Sequence, residues 1–178
     1  TGLLLERTDK IARFAVGVDL SAGMAGVSAA KGLNVANASV TDLGFANDSF
    51  DVVYSCKVLP HVPDISAALE EIRRVLVPGG RMYLEFYNPN SLKNLTYRLR
   101  WRGRREEPVY VRFDTEATLR QVLPKGVEIR SIRGIRTFGP TRHFYTLPVL
   151  RQVTSWLDRR FCDSKIGAKF GGYLLFVV

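Results

Sequence analysis

Few side chains in this sequence have the type and position for acid–base or ligand chemistry. His61 and His143 are its two histidines, and an imidazole can take up a proton near neutral pH. Asp19 ends the apolar run ARFAVGVD, and a carboxylate at the end of a strand can accept hydrogen bonds from a ligand's hydroxyls. Cys56 and Cys162 lie far apart and outside any CxxC or Cys/His pattern, which predicts free thiols and no metal site. Ligand binding and proton transfer are therefore the chemistry to expect.

These residues lie in a regular alternation of strand and helix patterns. Strand patterns are found in ARFAVGVD, LNVANASV, SFDVVYSC and RMYLEFYN, and helix patterns in SAGMAGVSAAKG and DISAALEEIRRVL. The helix in DISAALEEIRRVL has apolar residues along one face. Asp64 is its predicted N-cap, and the following VPGG is predicted to end it. Such alternation predicts an α/β fold whose parallel sheet is covered by helices on both faces.

After Asn88 the alternation becomes less regular. DTEATLRQVLPKG predicts a capped helix, VEIRSIRGIR a strand with one exposed face, and GGYLLFVV a closing strand. The 178 residues, 46% of them hydrophobic, suffice for a single domain. Within 1–178 we expect a core over 1–90, a basic connector over 91–112 and an insertion over 138–169. No apolar run approaches the roughly 20 residues that span a bilayer, and no signal-peptide pattern is found, so a cytoplasmic protein is expected.

The basic connector can be interpreted in three ways. Leucines 92, 95 and 99 fall on one helical face, and six cations stand among them: Lys93, Arg98, Arg100, Arg102, Arg104 and Arg105. The first interpretation is an amphipathic lid helix with a solvated basic side. The second is docking to anionic lipid headgroups with Trp101 at the interface. The third is contact with an RNA backbone, which ranks lowest because nothing in the sequence resembles an RNA-binding module.

The insertion over 138–169 is rich in aromatic residues. They are Phe138, Phe144, Tyr145, Trp156 and Phe161. Aromatic residues at this density predict either a packed flap over an apolar ligand or an ordinary satellite core.

Three segments in the first half of the chain carry a resemblance to a known family. They are VGVDLS, LGFANDSFDVV followed by VLPHVPD, and EIRRVLVPGGRMYLEF. In this order they resemble the class I S-adenosylmethionine-dependent methyltransferases, particularly the ubiquinone- and menaquinone-biosynthesis (methyltransferase type 11) branch. The resemblance extends from Thr1 to about Asn88. It implies S-adenosylmethionine as cofactor, and a Rossmann-like, doubly wound, mostly parallel sheet in three α/β/α layers with an antiparallel C-terminal strand.

The resemblance also implies which residues hold the cofactor. Asp19 occupies the position of the family's ribose-binding acid; its alternative role is N-cap of the following helix, for which Ser21 is the better candidate. Ser39 stands where the family has an acid beside the adenine, and a hydroxyl can accept the same hydrogen bond. The other implied contacts are Leu20 and Met24 at the adenine or methionine chain, the Val40 backbone at the adenine ring, and Ser55, Cys56 and Lys57 at the sulfonium end.

The opening residues Thr1 and Gly2 resemble the end of the family's glycine-rich loop, which leads directly into a helix. The following LLLERTDK matches that helix. The resemblance implies a strand before the loop, central in the sheet. We therefore expect residues upstream of Thr1 that hold part of the cofactor site.

The resemblance implies transfer of a methyl group to a small-molecule acceptor, with lipophilic molecules among the candidates. A sulfonium methyl is already activated, so the protein must position the acceptor, exclude water and accept any proton that is lost. His61, His143 and Tyr87 are the candidates for that proton-accepting role, and a packing role is the alternative for His61. The competing functions are a non-catalytic binding or scaffold protein on the same fold, an RNA methyltransferase and an NAD-dependent dehydrogenase.

Overall fold

The computed structural model of the chain describes residues 2–91, 94, 110–137 and 147–178. Thr1, most of the basic connector with Trp101, and the first part of the insertion with His143 and Tyr145 lie outside these described residues. The helices are α1 (Leu3–Thr8), α2 (Ala22–Ala29), α3 (Ile65–Val75), α4 (Glu116–Val122), α5 (Pro148–Phe161) and α6 (Lys165–Phe170), and a 3₁₀ turn spans Leu59–His61. The strands are β1 (Gly17–Asp19), β2 (Val35–Asn37), β3 (Phe50–Ser55), β4 (Leu76–Tyr87), β5 (Ser131–Ile135) and β6 (Tyr173–Val177).

The strands of the described residues form two sheets. β1 and β2 pair in parallel, and the second sheet has the order β3-β4-β6-β5. β3 runs parallel to β4, whereas β6 lies antiparallel between β4 and β5. This arrangement confirms the predicted α/β architecture and the antiparallel closing strand.

The core lies between α3 and the larger sheet. Asp64 caps α3 as predicted, since its carboxylate accepts a hydrogen bond from the backbone N–H of Ala67 at 3.0 Å. The apolar face of the helix then places Leu69 and Ile72 against Phe86 of β4 in one buried cluster. Each fully buried side chain of this size contributes about 1.5–3 kcal/mol to folding. The core therefore fixes β4, and with it the strand ends on either side.

The predicted turn at VPGG differs from the structure. α3 ends at Val75, but β4 begins at once with Leu76, earlier than the predicted RMYLEFYN. Phe50 of β3 pairs with Leu76 while Val52 pairs with Arg81, so residues 77–80 bulge out of the ladder. The bulge allows the strand to start at the helix end without a separate loop.

β1 and β3 do not pair with each other in the described part of the chain. Val52 and Tyr54 of β3 are 50% and 36% exposed, although parallel strands are normally buried on both faces. The expectation of a further, central strand before Gly2 stays a prediction.

Trp156 of α5 is 59% exposed. Phe138, Phe144 and Tyr145 lie outside the described residues, so the flap or satellite core over 138–169 stays a prediction. Helix α6 contacts β5 through two glycines. A Cβ atom on Gly134 would overlap the carbonyl oxygen of Gly167, and the N–H of Gly134 donates to the carbonyl of Cys162 at 2.8 Å. The close approach of α6 to the sheet therefore requires glycine at position 134.

Replacing Gly134 by alanine is expected to lower the free energy of unfolding by about 3 kcal/mol, the upper end of overpacking costs, because the obstacle is backbone. Gly26 of α2 is the matched control, since a Cβ there meets no atom within 4 Å. Gly26→Ala should raise the free energy of unfolding by about 0.5–1 kcal/mol. Urea unfolding curves of both variants test the prediction, and equal effects would contradict it.

None of the helices that the structure describes is long and apolar enough to cross a bilayer.

Candidate functional site

The ends of β3 and β4 define one edge of the larger sheet. The two strands run parallel, and Ser55, the last residue of β3, pairs with Leu84. Tyr87, the last residue of β4, therefore lies just beyond the end of β3. Ligands of open α/β sheets bind outside the carboxyl ends of the strands, so this edge is the candidate site.

Asp19 ends β1 and is held in a short turn. Its Oδ1 atom accepts a hydrogen bond from the N–H of Ser21 at 2.9 Å, and the side-chain amide of Asn37 donates to the carbonyls of Asp19 and Leu20 at 2.8 and 3.0 Å. Ser21, rather than Asp19, is the N-cap of α2, because its hydroxyl accepts from the N–H of Met24 at 3.4 Å. An ionised carboxylate has about four acceptor positions, so Asp19 keeps capacity for ligand hydroxyls.

Leu20 and Met24 are exposed beside this turn, at 77% and 40%. Ser39 is engaged locally instead. Its hydroxyl accepts from the N–H of Thr41 at 3.2 Å and lies 2.7 Å from the Thr41 hydroxyl, and Val40 packs against the core. The Ser39 hydroxyl therefore closes a turn, and any adenine contact there would compete with that turn.

Gly2 leads into α1 with a left-handed backbone, φ 72°. A Cβ atom on Gly2 would lie 2.6 Å from Leu33 and 3.1 Å from the Ser28 hydroxyl. The left-handed backbone angle thus favours glycine at this position, and a Cβ would also displace the Leu33 side chain.

Ser55, Cys56 and Lys57 follow one another at the end of β3. The hydroxyl of Ser55 is buried and has no hydrogen-bond partner among the described residues, an arrangement that costs free energy unless a ligand or water satisfies it. Lys57 adopts φ 60°, a left-handed conformation that costs a non-glycine residue about 1–2 kcal/mol. Such local strain is concentrated at functional sites.

Glu85 and Tyr173 also contribute to this edge, and the sequence analysis missed both. Glu85 is only 6% exposed although it is an acid. Burial, followed by the charge and hydrogen bond of Glu85, raises the pKa of the Cys56 thiol to about 11. Lys57 places its ammonium 5.6 Å from the Tyr173 ring centroid. The single acid within the apolar strand MYLEFY was the available signal for Glu85.

The end of β4 carries an aromatic cluster of His61, Tyr87, Phe113 and Tyr173. The ring centroid of Tyr87 lies 5.7 Å from that of His61, 5.8 Å from that of Phe113 and 5.3 Å from that of Tyr173. The Tyr87 hydroxyl is 3.3 Å from Nε2 of His61, and Nδ1 of His61 is 3.0 Å from the carbonyl oxygen of Tyr110. Of the three proton-accepting candidates, the structure brings His61 and Tyr87 together.

Backbone hydrogen bonds attach residues 110–114 to this cluster, and a buried ion pair lies within the segment. Arg112 donates two hydrogen bonds to Asp114, at 2.6 and 2.7 Å, and Asp114 is 2% exposed. The N–H of Arg112 donates to the carbonyl of Pro60 at 2.8 Å, and the N–H of Asp114 to that of Tyr87 at 2.9 Å. The segment thereby joins the 3₁₀ turn to the end of β4.

Among the residues that the structure describes, no group of three or more His, Cys, Asp or Glu is arranged to hold a metal ion.

Residues 1–84 match the Methyltransf_11 family model, described as a methyltransferase domain. A demethylmenaquinone methyltransferase from Mycolicibacterium paratuberculosis is 38% identical over 84 residues, which are 47% of this chain and 36% of that protein. A second protein with this description, from Mycobacterium marinum, is 39% identical over 83 residues, 46% of this chain and 36% of that protein. The matched region thus spans about a third of the length of these curated relatives.

Two solved structures resemble the whole fold. A SAM-dependent methyltransferase from Thermotoga maritima, described as a possible histamine N-methyltransferase, has a TM-score of 0.69 at 20% identity and covers 93% of this chain and 72% of its own. An S-adenosylmethionine-dependent methyltransferase from Mesorhizobium loti has a TM-score of 0.68 at 21% identity. The match covers 99% of this chain and 85% of that protein's chain. At these identities the two neighbours show the fold alone, and they confirm the expected Rossmann-like architecture.

Proposed function

We propose that this chain is a class I S-adenosylmethionine-dependent methyltransferase that uses S-adenosylmethionine as cofactor and methylates a small, lipophilic acceptor of the quinone type. The family match over residues 1–84 and the methyltransferase fold of the two structural neighbours support this proposal. The observation that carries the proposal is that three strands end in residues able to contact a ligand: Asp19 ends β1, Ser55 ends β3 and Tyr87 ends β4. Each of these residues can contact a different part of a bound cofactor and acceptor.

The residues present fit the cofactor. The acceptor positions left on Asp19 suit two ribose hydroxyls, and the buried Ser55 hydroxyl is without a partner in the described residues, as expected of a group that a polar ligand satisfies. When bound, S-adenosylmethionine supplies an activated methyl group, so the protein needs only to bind, orient and remove a proton.

The aromatic cluster supports the choice of acceptor. The half-buried Tyr87 ring lies at the end of β4 against the buried Tyr173 ring, and flat aromatic ligands pack on such rings in offset or edge-on geometry. The two mycobacterial relatives are demethylmenaquinone methyltransferases by description, so a quinone-type ring is the acceptor class that we infer. Its reduced, hydroquinone form offers the hydroxyl proton and electron-rich ring that methylation needs.

Calorimetry with S-adenosylhomocysteine and NAD tests the cofactor, and transfer of tritiated methyl from S-adenosylmethionine to demethylmenaquinol tests the acceptor. We expect S-adenosylhomocysteine to bind, NAD to give no heat, and label to enter the quinol. Preference for NAD would overturn the proposal in favour of a dehydrogenase. Binding of S-adenosylhomocysteine with labelling of RNA instead of the quinol would keep the cofactor and overturn the acceptor. Binding of neither nucleotide would favour the scaffold function.

A further inference from the structure

We infer that Tyr87 and His61 form a proton relay that deprotonates the acceptor, an inference that rests on the proposed function for the identity of that acceptor. The Tyr87 hydroxyl lies 3.3 Å from Nε2 of His61, and Nδ1 of the same ring lies 3.0 Å from the carbonyl oxygen of Tyr110. The direction of proton transfer follows from these two contacts.

The carbonyl of Tyr110 determines the tautomer of His61. A carbonyl oxygen can only accept, so Nδ1 must carry the hydrogen of this contact. A neutral imidazole has one N–H, and Nε2 therefore presents a lone pair. The Tyr87 hydroxyl must then donate to Nε2. The pair is arranged so that the tyrosine proton already points at the histidine.

The surroundings suit the two ends of a relay. Tyr87 is half-buried between Phe113 and Tyr173, where an apolar acceptor ring can approach its hydroxyl. His61 is exposed, so water can solvate the imidazolium and carry its extra proton away. Tyr87 takes the proton on the acceptor side, and His61 releases it on the solvent side.

The backbone of residues 110–114 holds the relay in place. Arg112 is tied through its N–H to Pro60, next to His61, and Asp114 through its N–H to Tyr87. The two side chains form the buried ion pair described above. The Tyr110 carbonyl is thus attached to both elements that carry the relay, and it also stabilises the imidazolium by keeping its hydrogen bond from Nδ1–H.

The proton and electron balance is complete with the acceptor hydroxyl. Its proton moves to Oη of Tyr87 while the Tyr87 proton moves to Nε2 of His61, so the tyrosine stays neutral and the histidine becomes positively charged. The oxygen electron pair, directly or through the ring, forms the new bond to the methyl carbon, and the carbon–sulfur bonding pair remains on sulfur. If a ring carbon is methylated, the ring hydrogen leaves as a proton and the phenolate is reprotonated, so one proton is released overall.

Two variants distinguish a proton relay through Tyr87 and His61 from a packing role of the same side chains. Tyr87→Phe keeps the ring and removes the hydroxyl, and His61→Asn keeps an amide N–H able to reach the Tyr110 carbonyl but takes up no proton. Single-turnover transfer to demethylmenaquinol should fall about 100-fold or more in each, as for loss of a general base, with the Kd for S-adenosylhomocysteine within twofold of wild type. Tyr54→Phe is the control, since it removes a tyrosine hydroxyl whose contact is to Thr8, and its rate should be unchanged.

A pH profile and a spectroscopic measurement complete the test. Without the relay, the transfer rate should rise with pH because the quinol itself ionises. The rate difference between wild type and both variants should therefore shrink at high pH. If the two residues only pack, that difference should be the same at every pH. In protein labelled with ¹⁵N-histidine and carrying His143→Gln, nitrogen NMR should show Nδ1 protonated and Nε2 bare, with Nε2 shifting in Tyr87→Phe.

Protonated Nε2 in the neutral ring, or wild-type rates in both variants, would overturn the relay while leaving the methyltransferase proposal intact. If the wild-type protein transfers no methyl group to the quinol, the proposed acceptor fails, and a protonated Nε2 in the NMR measurement would still overturn the relay.

Discussion

Replacing Asp114 by alanine is expected to lower the free energy of unfolding by about 3–5 kcal/mol. The Arg112 guanidinium is 17% exposed and would lose its bidentate partner, so a largely buried charge would be left without compensation. Thr118 would also lose its hydrogen bond to Asp114, 3.2 Å long. Urea unfolding measures the effect.

The matched control is Glu116→Ala, which breaks the pair between Glu116 and Arg120. These side chains are 47% and 52% exposed, and an exposed pair of this kind contributes less than about 1 kcal/mol. A similar loss of unfolding free energy in both variants would contradict the conclusion that burial makes the pair of Arg112 and Asp114 the stronger one. The double variant Arg112→Leu with Asp114→Leu should recover much of the loss, because it removes both buried charges together.

Replacing Asp19 by alanine is expected to weaken S-adenosylhomocysteine binding by more than tenfold. A hydrogen bond to a charged group contributes about 1.5–3 kcal/mol, and two ribose hydroxyls would each lose such a partner. Calorimetry of wild type and variant gives the ratio of dissociation constants.

The control for Asp19 must preserve the turn that follows β1. Asp19→Asn retains an oxygen for the N–H of Ser21, which lies 2.9 Å from Oδ1 of Asp19. It replaces the charge and the second acceptor oxygen by an NH₂ donor, so it should weaken binding while preserving the turn. Asp9→Ala removes an exposed acid from the end of α1 and should leave binding unchanged. An unchanged constant in Asp19→Ala would refute the ribose assignment.

The elements that the sequence predicted correctly are those set by local rules. The caps at Asp64 and Ser21 follow from side chains that reach N–H groups three residues away, and α4 begins with a predicted cap, where Thr115 and Thr118 bond reciprocally. Strand limits were predicted less well. ARFAVGVD yields only Gly17–Asp19 and LNVANASV only Val35–Asn37, because strand length depends on the partner strand rather than on the strand's own residues.

The site depended on contacts that no local pattern contains. His61 is 49 residues from Tyr110 and 26 residues from Tyr87 along the chain. Only the folded structure shows that these residues are partners. The contact of Ser39 is local instead, because a serine hydroxyl commonly closes a turn by accepting a hydrogen bond from the N–H two residues later. That local role could have been predicted from the sequence.

The raised pKa of Cys56 bears on how the protein would tolerate its own cofactor. A thiolate beside a sulfonium methyl is a competing nucleophile, and its reaction would alkylate the protein instead of the acceptor. With a pKa of about 11, only about one Cys56 thiol in three thousand is ionised at pH 7.5. Under the proposed function, burial and the charge of Glu85 would therefore keep a cysteine at the end of β3 from reacting with the methyl donor.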